Sequence, residues 1–161
     1  MGDACHHDHA GGPPREAEVQ RALAAAGDRL TAEGERLTPA RLRVLALLLG
    51  AGEPVKAYDL IARFGVDGQP AKPPTVYRAL EFLERKGLAH RIASISAYVA
   101  CTSGGRDHAA AFLICDCCGA TAEVSSPVAG DLGRAADAAG YAIERTTIEA
   151  HGRCPACRVA A

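Results

Sequence analysis

The sequence contains no long hydrophobic run. Its longest apolar stretch, Val44 to Ala51, has eight residues, whereas a membrane-spanning helix needs about 20. Residues 1–12 are polar and rich in histidine, without the apolar segment of a secretory signal. We therefore expect a cytoplasmic protein that does not associate with membranes and whose cysteines stay reduced.

Sequence motifs of several enzyme classes are absent as well. The chain has no Gly-rich phosphate-binding loop and no nucleophile motif. A zinc deaminase needs a His-x-Glu sequence ahead of a Pro-Cys-x-x-Cys pair. This chain has no His-x-Glu, and neither of its Cys-x-x-Cys pairs follows a proline. We therefore expect that the protein is not an enzyme.

Two Cys-x-x-Cys pairs, Cys115/Cys118 and Cys154/Cys157, are the clearest positive signal. Four thiolates at this spacing are typical of a closed, tetrahedral, structural zinc site. The total of seven cysteines is odd, and a complete disulfide framework needs an even number. We therefore predict zinc rather than disulfides, with the metal substituting for hydrophobic core that a small domain lacks.

Charge is distributed unevenly along the chain. Residues 1–35 carry a net charge of −4, residues 36–100 carry +5 and residues 101–161 carry −2. A basic middle segment between acidic flanks suggests that this segment meets an anionic partner such as nucleic acid. An ordinary surface distribution of charge explains the same numbers, so charge alone does not decide between the two.

Apolar periodicity predicts four helices in the first hundred residues. They cover Glu16–Glu33, the segment from Thr38-Pro39 to the glycines Gly50 and Gly52 that end it, Lys56–Arg63 and Pro73–Lys86. We expect their buried faces to consist of Val19, Leu23, Ala26 and Leu30 in the first helix, Leu42, Leu45 and Leu49 in the second, and Val76, Ala79, Leu80 and Leu83 in the last. Two strands follow, at Leu88–Ile92 and Ala97–Cys101. Three helices followed by a β-hairpin, as in the last three of these helices and the two strands, is the order of a winged helix, with Pro74–Lys86 as the recognition helix.

The remaining residues predict a small α/β domain. It contains strands at Ala111–Cys115 and Ala120–Val124, a helix at Pro127–Ala139 and a third strand at Tyr141–Glu149. The predicted fold class is therefore α+β. The predicted segments are a flexible tail at 1–15, a winged-helix DNA-binding domain at 16–101, a hinge at 102–108, and a dimerisation and zinc-binding domain at 109–161.

These segments together resemble the ferric uptake regulator superfamily, and most closely its zinc uptake regulator branch. The resemblance is carried by Leu37–Leu42, Pro74–Leu80, Ala111–Gly119 and Ile148–Cys157, and it covers nearly the whole chain. It implies a homodimeric, zinc-responsive repressor of zinc-acquisition genes that binds an AT-rich inverted repeat of double-stranded DNA.

A second metal site is a much weaker signal from spacing alone, because its candidate residues are scattered along the chain. The resemblance implies that the zinc-sensing ligands are His90, Cys101, His108 and Glu123. Two imidazoles, a thiolate and a carboxylate are a donor set that suits zinc. We therefore expect two zinc ions per subunit, one structural and one that regulates DNA binding by fixing the two domains in one orientation.

The residues expected to contact DNA lie mainly on or before the recognition helix. Arg78 faces outward and can bind guanine with two hydrogen bonds, while Tyr77 offers a hydroxyl to phosphate and a ring to a thymine methyl. Lys72, Arg41 and Arg43 suit contacts to phosphate. A solvated helix face is the alternative interpretation of the same pattern.

Several features leave alternatives open. Cys117 lies inside the first cysteine pair and could compete as a ligand. His151 and the tail residues Cys5, His6, His7 and His9 could bind an accessory metal, although a packing role for His151 and a flexible tail are the simpler interpretations. The same fold could sense iron, nickel or manganese, and a histidine-rich tail also fits a zinc-storage or delivery protein.

Overall fold

The computed structural model describes residues 14–65, 71–101, 110–124, 128–144 and 146–159. These residues form two compact units, one made of the residues up to Cys101 and the other of the residues from Ala110 onward. The predicted hinge at 102–108 and nearly all of the predicted tail lie outside the described residues. No helix within the described ranges is long and apolar enough to span a bilayer.

The first unit consists of four helices and a small sheet: α1 (Glu16–Ala32), α2 (Pro39–Ala51), β1 (Val55–Lys56), α3 (Ala57–Phe64), α4 (Pro73–Arg85), β2 (Ala89–Ile92) and β3 (Ala97–Ala100). The sheet is antiparallel, with the strand order β1-β3-β2. The prediction of a winged helix is confirmed, with β2 and β3 as the wing and α4 as the recognition helix. β1 was not predicted, because two residues are too few to show a strand period.

The ends of α2 follow from its sequence. The side chain of Thr38 accepts a hydrogen bond of 3.5 Å from the backbone N–H of Arg41, and Pro39 occupies the first helical position. Gly52 ends the helix with a φ of 64°, a left-handed conformation that glycine adopts without strain.

The core of the first unit lies between α1, α2, α4 and the wing. The predicted faces of α1 and α4 are confirmed, since Leu30, Val76 and Leu83 are fully buried. The prediction for α2 is wrong at Leu42, which is 42% exposed, because Val44, Leu45 and Leu48 form the buried side. α2 is apolar nearly all round, so its sequence pattern does not identify one face.

The second unit contains β4 (Ala110–Cys115), β5 (Thr121–Val124), α5 (Val128–Ala138), β6 (Thr147–Gly152) and α6 (Pro155–Val159). Its sheet has the order β5-β4-β6, in which β4 pairs antiparallel with β5 and parallel with β6. The predicted third strand was placed too early, because the pairing of β6 begins where Thr147 meets Ala110, the first residue of β4. The short helix α6 was not predicted.

Candidate metal centre and nucleic-acid interface

The parallel pairing of β4 and β6 brings the two cysteine pairs together. Cys115, the last residue of β4, lies opposite Gly152, the last residue of β6. The Sγ atoms of Cys115, Cys118, Cys154 and Cys157 all lie within 4.8 Å of one another. Ligands about 2.3 Å from a central zinc ion in a tetrahedron are about 3.8 Å apart, and Cys118 and Cys154 are separated by 3.7 Å. The four thiols therefore have the dimensions of a zinc cage.

The electrostatics of the four-cysteine cluster favour a charged sulfur at one corner. The backbone N–H of Cys154 donates to Sγ of Cys115 over 3.3 Å. Together with backbone hydrogen bonds from Cys118 and Cys117, this contact lowers the pKa of Cys115 to about 6. Burial raises the pKa of Cys157. None of the six cysteines in the described residues is in a disulfide. The donor set is therefore four reduced thiols, two of them buried, and suits a soft metal ion such as zinc.

The turn between Cys115 and Cys118 is fixed by the backbone. The N–H of Gly119 donates to the carbonyl of Cys115 over 2.8 Å, and Gly119 has a φ of 78°. Cys117 is exposed in this turn. Nδ1 of His151 lies 2.8 Å from Oδ1 of Asp116, so the structure gives His151 a carboxylate contact beside the cluster. The accessory metal role of His151 stays a prediction, and Cys5, His6, His7 and His9 lie outside the described residues.

Two of the predicted sensing ligands share one face of the wing. His90 on β2 lies opposite Val99 on β3, and Cys101 follows two residues later on the same face. The N–H of Cys101 donates to the carbonyl of Leu88 over 3.0 Å, which continues the strand pairing. A ring nitrogen of His90 and Sγ of Cys101 lie within 4.8 Å of each other, and both residues are half-buried.

The other two predicted ligands belong to the second part of the chain. Glu123 lies on β5 opposite Phe112 and is half-buried. His108 lies outside the described residues. The structure therefore brings together His90 and Cys101 within the first unit, and the complete set of four ligands stays a prediction.

The recognition helix exposes the predicted reading face. Tyr77 is 51% exposed, and Arg78 is exposed beside it. Lys72 is exposed at the N-terminal cap of α4. These three side chains are available to a nucleic acid from one end of one helix.

Two predicted phosphate ligands make contacts within the protein instead of extending freely. Arg43 donates from Nη2 to the carbonyl of Arg63 over 3.0 Å and from Nε to the carbonyl of Phe64 over 3.4 Å, at the end of α3. Arg41 lies over the ring of Phe82, with its guanidinium carbon 3.3 Å from the ring centroid. Sequence patterns could not indicate these contacts, because the partners are 20 to 41 residues away along the chain.

Comparisons with known proteins agree with this architecture. The model of the ferric uptake regulator family matches residues 32–151. The zinc uptake regulation protein of Escherichia coli (strain K12) is 40% identical over 141 residues, which cover 86% of this chain and 82% of that protein.

Solved structures show the same fold. A zinc uptake regulator complexed with zinc and DNA has a TM-score of 0.79 at 39% identity, over 88% of this chain and 96% of that chain. The crystal structure of holo XcZur has a TM-score of 0.74 at 38% identity, over 90% of this chain and 99% of that chain. The chain belongs to the ferric uptake regulator family.

Proposed function

We propose that this protein is a zinc-responsive transcriptional repressor, which binds operator DNA as a homodimer and represses zinc-uptake genes. The observation that carries the proposal is the position of His90 and Cys101, two zinc-type donors on the wing that directly follows the recognition helix. A metal bound there touches the DNA-binding unit itself. Similarity to zinc uptake regulators, one of them complexed with zinc and DNA, supports the same conclusion.

The proposed regulation is a conformational equilibrium. His90 and Cys101 would bind the sensing zinc together with His108 and Glu123, which come from the second part of the chain. Because such a site is complete only in one arrangement of the two units, zinc bound by these residues would favour that arrangement over all others. Changing a two-state equilibrium from 1:99 to 99:1 takes about 5.5 kcal/mol, which is within the range of a well-made zinc site.

The four-cysteine site would have a different task in this scheme. All four of its positions are thiols of the second unit, so a zinc ion there is coordinatively complete and stabilises the fold. The protein would then bind two zinc ions per subunit, one structural and one regulatory. Only the second would exchange with the free zinc of its surroundings.

DNA recognition would depend on α4. Arg78 is suited to guanine, and Tyr77 to a phosphate oxygen and a thymine methyl group. Lys72, at the start of the helix, would contact phosphate. A homodimer presents two such helices related by two-fold symmetry, which matches an inverted-repeat operator, here expected to be AT-rich.

The proposed homodimer would bury large apolar side chains that the second unit leaves exposed. The exposed residues are Leu113, Val128, Leu132, Tyr141 and Ile143.

The experiment that tests the proposed function is a DNA-binding titration. Fluorescence anisotropy of a duplex from the protein's own promoter is measured across buffered concentrations of free zinc, and again with iron(II), nickel(II) and manganese(II). We expect tight binding to appear with zinc and to disappear with a chelator that strips only the exchangeable ion. A response to another of these ions alone would assign a different metal. Zinc uptake without any effect on DNA affinity would indicate storage.

A further inference from the structure

A cluster of charged side chains and one buried aromatic ring surrounds the C-terminal end of the recognition helix, whereas Tyr77 and Arg78 lie in its N-terminal half. We call it the α4 anchor. Its members come from three helices and one connection. They are Arg29 and Glu33 at the end of α1, Glu35 between α1 and α2, Arg41 in the first turn of α2, and Phe82 and Lys86 at the end of α4.

Lys86 is the centre of the α4 anchor. Its Nζ lies 2.8 Å from Oε1 of Glu35 and 3.5 Å from Oε2 of Glu33, and its side chain is only 13% exposed. Nη2 of Arg29 donates to the carbonyl of Lys86 over 2.5 Å. The last carbonyls of a helix have no partner within the helix, so α1 supplies a donor to the end of α4. The contacts of Arg29 and Glu33 attach the end of the recognition helix to the C-terminal end of α1.

Arg41 and Phe82 form the second part of the anchor. Phe82 is 2% exposed, and the guanidinium of Arg41 lies on its ring, a favourable contact between a cation and an aromatic face. Nη1 of Arg41 also donates to the carbonyl of Arg36 over 2.9 Å. The guanidinium is therefore used to join α2 to α4, although the sequence suggests a phosphate ligand.

The anchor and the reading face lie on one rigid element. α4 has 13 residues, and Tyr77 and Arg78 follow its first turn while Phe82 and Lys86 lie in and after its last turns. A rotation or tilt of one end of a helix moves the side chains along its whole length, and base contacts require the recognition side chains to be correctly placed in the major groove. We propose that Lys86, Glu35 and Arg41 are positioning residues for DNA recognition, which set the orientation of α4 without touching DNA. This inference rests on the proposed function.

The alternative role for Lys86 and Arg41 is direct contact with phosphate. The salt dependence of DNA affinity distinguishes this role from positioning. Each phosphate contact adds about 0.9 to the slope of log affinity against log salt concentration. A positioning residue changes affinity but leaves this slope as it is. Glu35 gives a sign test as well: removing an anion raises DNA affinity through electrostatics alone, whereas loss of positioning lowers specific affinity.

The experiment uses the full-length, zinc-loaded protein and a duplex from its own promoter, with a scrambled duplex as the non-specific reference. Anisotropy titrations between about 50 and 200 mM salt compare the wild type with Lys86→Met, Glu35→Gln and Arg41→Met. Lys72→Met is the control for a phosphate contact. Two further variants test whether restoring the ion pair restores specific DNA binding. They are Lys86→Arg and a double variant that exchanges the charges, Lys86→Glu with Glu35→Lys.

We expect Lys86→Met and Glu35→Gln each to reduce the ratio of specific to non-specific affinity about tenfold, with the salt slope of the wild type retained. Lys72→Met should lower the slope by about 0.9. Lys86→Arg and the charge exchange should recover most of the ratio.

Two results would overturn the inference: a slope reduced by about 0.9 in Lys86→Met or Arg41→Met, or an unchanged affinity ratio in all three variants. If Lys86→Met does not fold, as judged by circular dichroism and zinc content, Glu35→Gln decides, because Glu35 lies partly exposed and its loss leaves the core intact. A wild type that does not bind DNA at any zinc concentration would refute the proposed function itself, which is a distinguishable outcome.

Discussion

Arg78 and Tyr77 are exposed because the neighbouring positions Val76, Ala79 and Leu80 hold α4 against the core. The side chain of Arg78 is exposed and is not one of the buried residues that form that core. Substitution at Arg78 should therefore affect recognition and leave folding unchanged, which makes it a clean test of the interface at the scale of one residue.

We predict that Arg78→Ala weakens binding to operator DNA by about 1–3 kcal/mol, because a bidentate contact to a base is lost. Zinc content should remain that of the wild type. Anisotropy and metal analysis on the same preparation measure both quantities, with Arg21→Ala, an exposed arginine of α1, as the matched control. Equal operator affinities for the two variants would remove Arg78 from the interface.

Glu35 carries a prediction about pH. Its hydrogen bond to Lys86 lowers the pKa of Glu35 below the usual carboxyl value. A lowered pKa means that this carboxylate stabilises the folded state at pH values above the unfolded pKa, and that the stabilisation is lost as the pH falls through the folded pKa.

The difference in free energy of unfolding between the wild type and Glu35→Gln should therefore be largest near neutral pH and shrink in acid. Denaturant titrations from pH 7 downward would measure it. In a Lys86→Met background the same comparison should show little pH dependence, because the main cause of the shift is gone. A difference in free energy of unfolding that increases in acid would contradict a lowered pKa of Glu35.

The start of α2 and its orientation in the fold have different causes. Its start is set by two local signals, the Thr38 cap and Pro39, whereas its orientation depends on packing against α1 and α4. Local signals of this kind stabilise the element wherever it is placed.

We predict that Thr38→Ala lowers the free energy of unfolding by about 1 kcal/mol, since the hydrogen bond to the N–H of Arg41 is lost. Thr38→Ser keeps the hydroxyl and is the control. Chemical denaturation of both variants measures the effect, and equal losses would show that the cap does not contribute.

Sequence patterns predicted most of the elements because their signals are local. Helix periodicity, Gly52 and the prolines gave α1 to α4 nearly to the residue. The failures have non-local causes: the inward face of α2 is chosen by its neighbours, and the start of β6 is set by its partner β4. The contacts of Arg41 with Phe82 and of Lys86 with Glu35 could not be predicted from sequence patterns either, because the partners are far apart along the chain.

One metal cluster was predictable from local sequence spacing, and the other was not. The four-cysteine cage was predictable from spacing, because each Cys-x-x-Cys pair is a local signature and the structure confirms that the pairs meet. His90 and Cys101 are eleven positions apart, and only the pairing of β2 with β3 places them together. Without the resemblance to a family, no pattern in the sequence would have selected them.

At the scale of the whole molecule, the two clusters should respond differently to substitution. Cys154→Ser should remove the structural zinc and lower the stability of the second unit by several kcal/mol, because metal binding and folding are coupled in such sites. Cys117→Ser, in the turn between Cys115 and Cys118 but outside the predicted ligand set, is the control and should keep the metal. Zinc content together with thermal unfolding distinguishes them, and two variants of equal stability would refute the structural role of the cage.

The most direct test of the account is to measure zinc per subunit and operator affinity together in Cys101→Ser. We predict that the variant keeps one zinc ion of two, retains the stability of the second unit and no longer gains DNA affinity when zinc is added. A variant that still binds its operator in a zinc-dependent manner, with wild-type affinity, would contradict regulation through the wing.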